Sequence, residues 1–246
     1  MDIAMAARRA SRIAGGFLTL RATPGKYRAT LGRITKMSGP ALVVGSAPSA
    51  TRPTGVDDSW FRVSANASQA TLARFGLPPP HLTIFRVQMI SATLDDAARH
   101  AWAALKGQST GHLIVGAGTA DAAVAITAQH GYRAEAITAF SSSMRTAVIA
   151  DMIGEYLAIG TNHKGVSNGI FATLLALKLG ARPVVMSGFS MSSGWAYAPG
   201  AASNRYHQDG DLRACRLMRQ RGYPVFTADP AFAEASGLPL WPGWGT

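Results

Sequence analysis

Residues 166–190, VSNGIFATLLALKLGARPVVMSGFS, decide the fold, because they predict a helix, a glycine turn and a buried strand in direct succession. A side-chain oxygen of Ser167 or Asn168 can cap the helix, and Gly180 is well placed to end it. The apolar run that follows is typical of a parallel strand covered on both faces. It ends at residues 187–190, where open α/β sheets bind their ligands. A helix start and a strand end brought together predict a site for an anionic ligand.

The composition indicates a globular protein with a basic surface. With 246 residues, 48% of them apolar and 15% charged, the chain can form one large α/β domain, and wholesale disorder is excluded. Its net charge of +11 suits phosphates, anionic lipids or nucleic acid. The basic residues are dispersed and not interleaved with aromatic ones, which argues against nucleic acid as a partner. The composition leaves the oligomeric state open.

The single cysteine, Cys215, excludes an internal disulfide framework and a cysteine-based zinc site. Because it follows helical spacing among apolar residues, we predict a buried, unreactive thiol. The histidines other than His207 show no metal-ligand spacing, so no metal is expected.

The chain divides into a basic N-terminal extension, residues 1–39, and a single α/β domain, residues 40–246, with a lid at about 191–206. No apolar run approaches the roughly 20 residues that span a bilayer, and the N-terminus lacks a convincing signal sequence. We therefore predict a cytoplasmic protein. Its basic extension makes an anionic membrane surface at the inner face a further candidate partner.

Repeated strand and helix patterns surround the opening stretch. Further strands are predicted at residues 41–44, 60–64, 82–85, 112–115 and 222–226, and further helices at 95–105, at 144–159 and from Asp211 onward. Short connections between such units imply a Rossmann-like, mostly parallel sheet with helices on both faces. The turn Gly116-Ala-Gly118 is similar to a dinucleotide turn, although it lacks the third glycine and a following acidic residue. A dinucleotide-dependent enzyme is therefore kept as an alternative.

His207 is the strongest candidate for proton transfer. It follows the lid and precedes Asp211, whose carboxylate could hold one ring nitrogen and leave the other as a proton acceptor. Tyr197, Arg205 and Tyr206 in the same region could donate hydrogen bonds to a departing phosphate without a metal. The alternative for His207 is a surface or packed imidazole. The alternative for the two tyrosines and the arginine is ordinary packing within the lid.

The series of motifs resembles that of the bacterial CMP-sialic-acid-dependent sialyltransferases and related glycosyltransferases. It comprises residues 45–49, 61–66, 167–169, 179–180, 184–190, 206–207 and 211–212, within a likeness that spans residue 41 to about residue 228. The resemblance implies an α/β fold, a GT-A-like variant with a lid loop. It also implies inverting transfer of a sialic-acid-like sugar from a CMP donor to a glycan or lipid-linked acceptor, with no metal and no cofactor besides the donor substrate.

The resemblance assigns roles by position. The nucleotide-binding residues would be Gly45, Ser46, Pro48, Ser49, Asn66, Ser167, Asn168, Gly169, Gly188, Phe189 and Ser190. Tyr197 and Tyr206, with Arg205, would support the leaving phosphate, and His207 would be the general base with Asp211 beside it.

Two positions depart from the family pattern. Ser46 stands where members usually have asparagine, and Ser190 where an aspartate is common. Either change could mean a different sugar or nucleotide, or an inactive relative. A non-catalytic nucleotide- or membrane-binding protein is therefore the second alternative.

Overall fold

A computed structural model describes residues 24–91, 93–116, 120–155, 165–192, 194–198 and 207–243. The helices are α1 (Pro24–Gly32), α2 (Ala70–Arg74), α3 (Asp96–Leu105), α4 (Ala120–Gln129), α5 (Ser142–Ile153), α6 (Asn168–Lys178), α7 (Gln208–Gln220) and α8 (Pro230–Ser236). The strands are β1 (Gly39–Val44), β2 (Phe61–Ala65), β3 (Leu82–Phe85), β4 (Ser109–Val115), β5 (Arg133–Ala139), β6 (Ala181–Ser187) and β7 (Val225–Thr227). Short 3-10 helices at Asn66–Gln69 and Val87–Ile90 follow β2 and β3.

The strands form one seven-stranded sheet in the order β5-β4-β3-β2-β1-β6-β7. Every pairing between neighbouring strands is parallel, so the predicted α/β class with a mostly parallel sheet is confirmed. Strands β2 to β5 follow one another outward on one side of β1, and β6 and β7 lie on its other side. The direction of winding therefore reverses between β1 and β6.

The sheet is covered on both faces, as the apolar strands predict. In β1, Ala41 and Val43 pack in a core cluster with α5, α6 and α7. Leu42 and Val44 point to the opposite face, where they pack with Trp60 and with Leu72 of α2. Because successive side chains of a strand alternate between faces, an uninterrupted apolar run requires this double cover.

The opening stretch folds as predicted. Ser167 caps α6, and its side-chain oxygen accepts a hydrogen bond from the Ile170 backbone N–H at 3.3 Å. Gly180 ends the helix with a φ of +107°, a backbone conformation that favours glycine. The strand β6 then pairs with β1 in the centre of the sheet.

Residues near the end of the extension belong to the domain core. Ile34 and Met37 are buried, and the Met37 N–H donates to the Leu179 carbonyl at 2.9 Å. Residues 1–23 lie outside the described residues. Within the described part of the chain, no helix has both the length and the apolar character needed to cross a bilayer.

Two helix boundaries differ from the sequence prediction. The helix predicted at 144–159 ends at Ile153, because Gly154 adopts a left-handed conformation and its N–H caps the Ala150 carbonyl at 2.7 Å. The helix predicted to begin at Asp211 begins at Gln208, so the carboxylate of Asp211 lies within its first turn. A negative side chain is favourable there, because the first backbone N–H groups have no partner within the helix.

The strand β5 was not predicted from the sequence. It lies at the edge of the sheet, and most of its residues are at least partly exposed. It therefore lacks the apolar run that indicates a buried strand. Cys215, in contrast, is fully buried as predicted, and burial raises the pKa of its thiol.

The central position of α6 predicts a large loss of stability for Leu174→Ala. Leu174 is fully buried between helix and sheet, so truncation removes apolar contacts and leaves a cavity. We expect the free energy of unfolding to fall by about 2–5 kcal/mol, measured by denaturant titration. Leu240→Ala is the control: the same change at a side chain that is 50% exposed should cost much less. Equal losses at the two positions would contradict the assigned core.

Candidate functional site

A crevice opens where the winding of the sheet reverses. The Gly45 N–H donates to the Ser187 carbonyl at 2.7 Å, and the Ala47 N–H donates to the Gly188 carbonyl at 2.8 Å. The two loops that leave β1 and β6 are therefore joined by backbone contacts. In open α/β sheets this reversal point, at the carboxyl ends of the strands, is where ligands bind.

The close approach of the two loops requires glycine, without a side chain, at Gly45 and Gly188. A Cβ on Gly45 would lie 2.2 Å from the Gly188 carbonyl oxygen, and one on Gly188 would lie 2.6 Å from the Gly45 carbonyl oxygen. Gly169, in the first turn of α6, is similarly confined, since a Cβ would lie 2.6 Å from Cε1 of Phe189. Backbone groups therefore face this end of the crevice without side chains in between.

A cavity of about 1140 Å³ extends along the crevice. Sites for small molecules usually occupy about 300–1000 Å³, so this one has room for a large ligand or for two ligands side by side. Of the residues predicted from the sequence, those lining it are Gly45, Ser46, Asn66, Ser167, Asn168, Gly169, Gly188, Phe189, Ser190, Tyr197, His207 and Asp211. These residues come from five separate segments of the chain.

Four predicted residues are not part of the described lining. Pro48 and Ser49 lie on the exposed side of the β1 loop, where the Pro48 carbonyl accepts a hydrogen bond from Arg74 at 2.8 Å. The preceding residue, Ala47, is bonded to Gly188 of the β6 loop. Arg205 and Tyr206 lie outside the described residues.

Arg145 is a site residue that the sequence analysis missed. It stands in the first turn of α5 and lines the cavity. Its guanidinium donates to Oδ1 of Asn168 at 2.7 Å and to the Val166 carbonyl at 2.7 Å, and it lies 4.4 Å from the centre of the Phe171 ring. Burial lowers its pKa to about 10, while Asp211 acts in the opposite direction. Arg145 therefore remains charged at neutral pH beside the start of α6.

The contact with Arg145 fixes the orientation of the Asn168 amide. Because a guanidinium only donates, the atom of Asn168 that faces it must be the oxygen. The Asn168 nitrogen is then directed to Oδ1 of Asn66 at 3.5 Å. Asn66 itself has a φ of +53°, which asparagine tolerates better than most residues, and it accepts from the Arg86 N–H at 2.9 Å. Two amides from different elements are thereby held in the cavity.

His207 lies at the rim of the cavity with its ring orientation defined. Nδ1 is 2.6 Å from the Gly165 carbonyl oxygen, which can only accept a hydrogen bond. Nδ1 therefore carries the proton in the neutral ring, and Nε2 is the proton acceptor. The pKa of His207 is lowered because burial disfavours its charge; the Gly165 contact opposes this shift, and the charge of Arg145 adds to it.

Asp211 has a different contact from the one predicted. Its Oδ1 accepts from the Ser167 N–H at 2.7 Å, and the carbonyl of Gly165 holds the ring of His207. The sequence predicts that Asp211 holds the ring of His207. A backbone carbonyl replaces it because residue 165 comes close to His207 when α6 and α7 pack together, a contact that sequence spacing does not reveal.

Part of the lid covers the cavity. The Ala196 N–H donates to the Ser46 carbonyl at 2.7 Å, which joins the lid to the β1 loop. The rings of Trp195 and Tyr197 stack with a centroid distance of 6.0 Å. Burial raises the pKa of Tyr197 to about 12, with smaller opposing effects of Arg86 and Asp95, so its hydroxyl remains a hydrogen-bond donor at neutral pH.

The cavity also has a second half, which the sequence prediction did not assign. It is formed by the end of β3 and the start of α3, where Arg86 and Asp95 make an ion pair and His100 contributes to the lining. Asp95 also caps α3 by accepting from the Ala98 N–H at 2.7 Å. Within the described part of the chain, no three histidine, cysteine, aspartate or glutamate side chains are grouped so that they could hold a metal ion.

The parallel sheet and the crevice at its reversal point define an α/β protein of the GT-A-like kind. No protein-family model and no curated protein sequence matches the chain. Solved structures do match. The α-2,3-sialyltransferase Cst-I from Campylobacter jejuni has a TM-score of 0.54 at 11% identity, with 83% of this chain and 80% of that chain covered.

Structures of the sialyltransferase CstII match to a similar extent. CstII from Campylobacter jejuni in complex with the substrate analogue CMP-3FNeuAc gives a TM-score of 0.53 at 11% identity, covering 85% of this chain and 87% of that chain. A single-substitution variant of CstII in complex with CMP gives a TM-score of 0.54 at 11% identity, covering 84% of this chain and 88% of that chain. At this identity the likeness shows the fold: the chain has the fold of these sialyltransferases, as the resemblance of its motifs predicts.

The contact between the two glycines predicts that Gly45→Ala separates the β1 and β6 loops. The added methyl group would overlap the Gly188 carbonyl, which is backbone and cannot rotate away. We expect the free energy of unfolding to fall by about 1–3 kcal/mol, measured by denaturant titration. Gly32→Ala, at the end of α1 with nothing within 4 Å of the added atom, is the matched control and should not destabilise. Wild-type stability of Gly45→Ala would show that the two loops do not approach as described.

Proposed function

We propose that the protein is a metal-independent inverting glycosyltransferase that moves a sialic-acid-like sugar from a CMP donor to a glycan or lipid-linked acceptor. The observation that carries the proposal is that His207, Ser167 and Gly45, which come from three distant parts of the chain, line one cavity. The fold shared with sialyltransferase structures, one of them in complex with the substrate analogue CMP-3FNeuAc, supports the proposal.

The nucleotide is assigned to the end of the cavity near the winding reversal. There the β1 loop, the β6 loop and the start of α6 present backbone groups, with Gly45, Gly169 and Gly188 allowing a ligand to approach closely. The amides of Asn66 and Asn168 provide donors and acceptors of fixed orientation. Such groups suit the edge of a pyrimidine base and the hydroxyls of a ribose.

The phosphate is assigned to the start of α6. Unpaired backbone N–H groups of a helix N-terminus attract an anion, and the charged guanidinium of Arg145 adds to the positive potential. On the lid, the Tyr197 hydroxyl is a further donor, and Arg205 and Tyr206 keep the same role as predictions from the sequence. Together these groups would stabilise the departing CMP without a metal.

His207 is assigned as the general base. Its Nε2 would accept the proton of the acceptor hydroxyl while the oxygen of that hydroxyl bonds to the anomeric carbon. The bond from that carbon to the phosphate oxygen breaks in the same step, and CMP leaves with the electron pair. Attack from the side opposite the leaving phosphate inverts the configuration. Asp211 would support this arrangement by holding Ser167 at the start of α6.

The second half of the cavity provides room for the transferred sugar and the acceptor. The net charge of +11 favours binding to an anionic surface. We therefore assign the protein to the cytoplasm, at the inner face of the membrane. The dinucleotide alternative depends on the turn at 116–118, of which Gly116 lines the cavity and residues 117 and 118 lie outside the described residues.

Calorimetric titration with CMP, NAD and NADP tests the nucleotide assignment. We expect CMP to bind with a dissociation constant in the micromolar range, about −8 kcal/mol, and neither dinucleotide to bind comparably. Binding of a dinucleotide without CMP would favour the first alternative and contradict the proposal. CMP binding without hydrolysis of CMP-sialic acid or transfer to any acceptor would favour a non-catalytic relative.

Replacing His207 by alanine should lower kcat by about 10²–10⁴-fold in a CMP-sialic-acid transfer assay, because the acceptor hydroxyl loses its base. CMP affinity should change little, since His207 is not assigned to the nucleotide. His130→Gln is the control, because His130 stacks on Trp102 outside the cavity and should leave kcat unchanged. A fully active His207→Ala variant would contradict the assigned base.

The pH dependence of transfer follows from the lowered pKa of His207. The base works only when its ring is neutral, and a lowered pKa keeps it neutral to more acidic pH. We therefore expect kcat/KM to be constant around neutral pH and to fall below a midpoint that lies under the ordinary value of 6.5. The phosphodiester of the donor does not titrate in this range, so a midpoint clearly above 6.5 would contradict the assignment.

A further inference from the structure

Asp229 is a buried carboxylate that the proposed mechanism does not use. It follows β7 directly and is 6% exposed. Its Oδ1 accepts from the Thr51 N–H at 2.9 Å, and its Oδ2 accepts from the Phe189 N–H at 3.0 Å. Thr51 lies at the end of the β1 loop and Phe189 in the β6 loop. One side chain therefore holds both loops that border the crevice.

Neighbouring hydrogen bonds fix Asp229 in this position. Its own N–H donates to Oγ1 of Thr227 at 3.2 Å, and the adjacent Ala228 N–H donates to the Met186 carbonyl at 2.8 Å. Its pKa is raised because burial disfavours the charge, against the lowering effect of its backbone donors. Burying a carboxylate costs free energy, and the N–H groups of Thr51 and Phe189, with further donors from Gly188 and the Thr51 hydroxyl, offset that cost.

The position of Phe189 determines the width of the nucleotide end of the cavity. Its ring packs on Phe232 of α8 with a centroid distance of 5.5 Å, and its other edge faces Gly169 in the first turn of α6. A Cβ on Gly169 would lie 2.6 Å from Phe189 Cε1, so the β6 loop and the helix start are already in contact. A shift of the Phe189 backbone would therefore change the space between β6 and α6.

We propose that Asp229 is a positioning residue, which holds the β1 and β6 loops at the separation that CMP binding requires. This inference rests on the proposed function, because it concerns the same nucleotide site. Asp229 lies behind the two loops and is absent from the lining of the cavity, so it acts through Thr51 and Phe189. The competing explanation is that the carboxylate contributes only to overall stability.

Asp229→Asn tests the inference, because it keeps the shape of the side chain and replaces one accepting oxygen by a donor. The new N–H₂ group would face a backbone N–H, so the contact of residue 229 with one of the two loops would be lost. We expect CMP affinity to fall by about tenfold or more, as measured by calorimetry. In the transfer assay the donor KM should rise by a similar factor with kcat nearly unchanged, since His207 stands on another element.

Glu234→Gln is the matched control. It removes the same charge from an exposed carboxylate of α8, five residues along the chain, and should leave CMP affinity within twofold of wild type. Amide hydrogen exchange supplies a local measurement. In ligand-free Asp229→Asn, exchange should accelerate at Thr51 and Phe189 and stay unchanged at β6 amides, whereas overall destabilisation would accelerate all of them.

The outcomes separate this inference from the proposed function. A folded Asp229→Asn variant with wild-type CMP affinity and wild-type exchange overturns the inference. If the variant does not fold, amide hydrogen exchange of the ligand-free wild-type protein is the deciding measurement. Slow exchange at Thr51 and Phe189 supports the inference, and exchange at the rate of an unstructured loop overturns it. Wild-type protein that binds no CMP contradicts the proposed function, which is measured before any variant is compared.

Discussion

The close backbone contact between β1 and β6 is the constraint on which the rest of the site depends. Gly45 and Gly188 lie so near each other that neither can carry a side chain, and the N–H of Gly45 is bonded to the last residue of β6. Because the winding reverses at this pair of strands, a crevice opens beside the loops that follow them. The start of α6 closes one side of it, where Gly169 touches the ring of Phe189. Because these three glycines have no side chains, the backbones of the two loops and the start of α6 can approach closely. This close approach determines the shape of the crevice.

The electrostatic character of the site follows from how its buried charges are partnered. Arg145 donates to backbone carbonyls and to the Asn168 amide, while Asp211 is bonded to the Ser167 N–H. The guanidinium is thus oriented mainly by neutral acceptors, and the nearby carboxylate only partly offsets its charge. Since α6 also begins at this point, the local potential is positive. That potential explains why an anionic ligand suits this end of the cavity, and the charge of Arg145 adds to the burial that lowers the pKa of His207.

Sequence patterns predicted the central fold well, because the interior strands are uninterrupted apolar runs and α6 has a clear capping residue and terminal glycine. They failed where the determining contacts are long-range. The edge strand β5 has no apolar run, and the start of α7 depends on its packing rather than on Asp211. In the site, motifs located the glycines and His207 but not Arg145, whose relevance arises only when α5 packs beside α6. A basic residue in the first turn of a mostly apolar helix was the available signal.

The two departures from the sialyltransferase pattern have a physical interpretation in this structure. Ser46 lacks the amide that the resemblance leads one to expect, yet amides from Asn66 and Asn168 meet in the same cavity. Ser190 lacks a carboxylate, but the carboxylate of Asp229 reaches the adjacent Phe189 N–H from the end of β7. The amides of Asn66 and Asn168 face the cavity and can contact a ligand there. Asp229 lies outside the cavity lining, so its carboxylate acts on the β6 loop and not on the ligand.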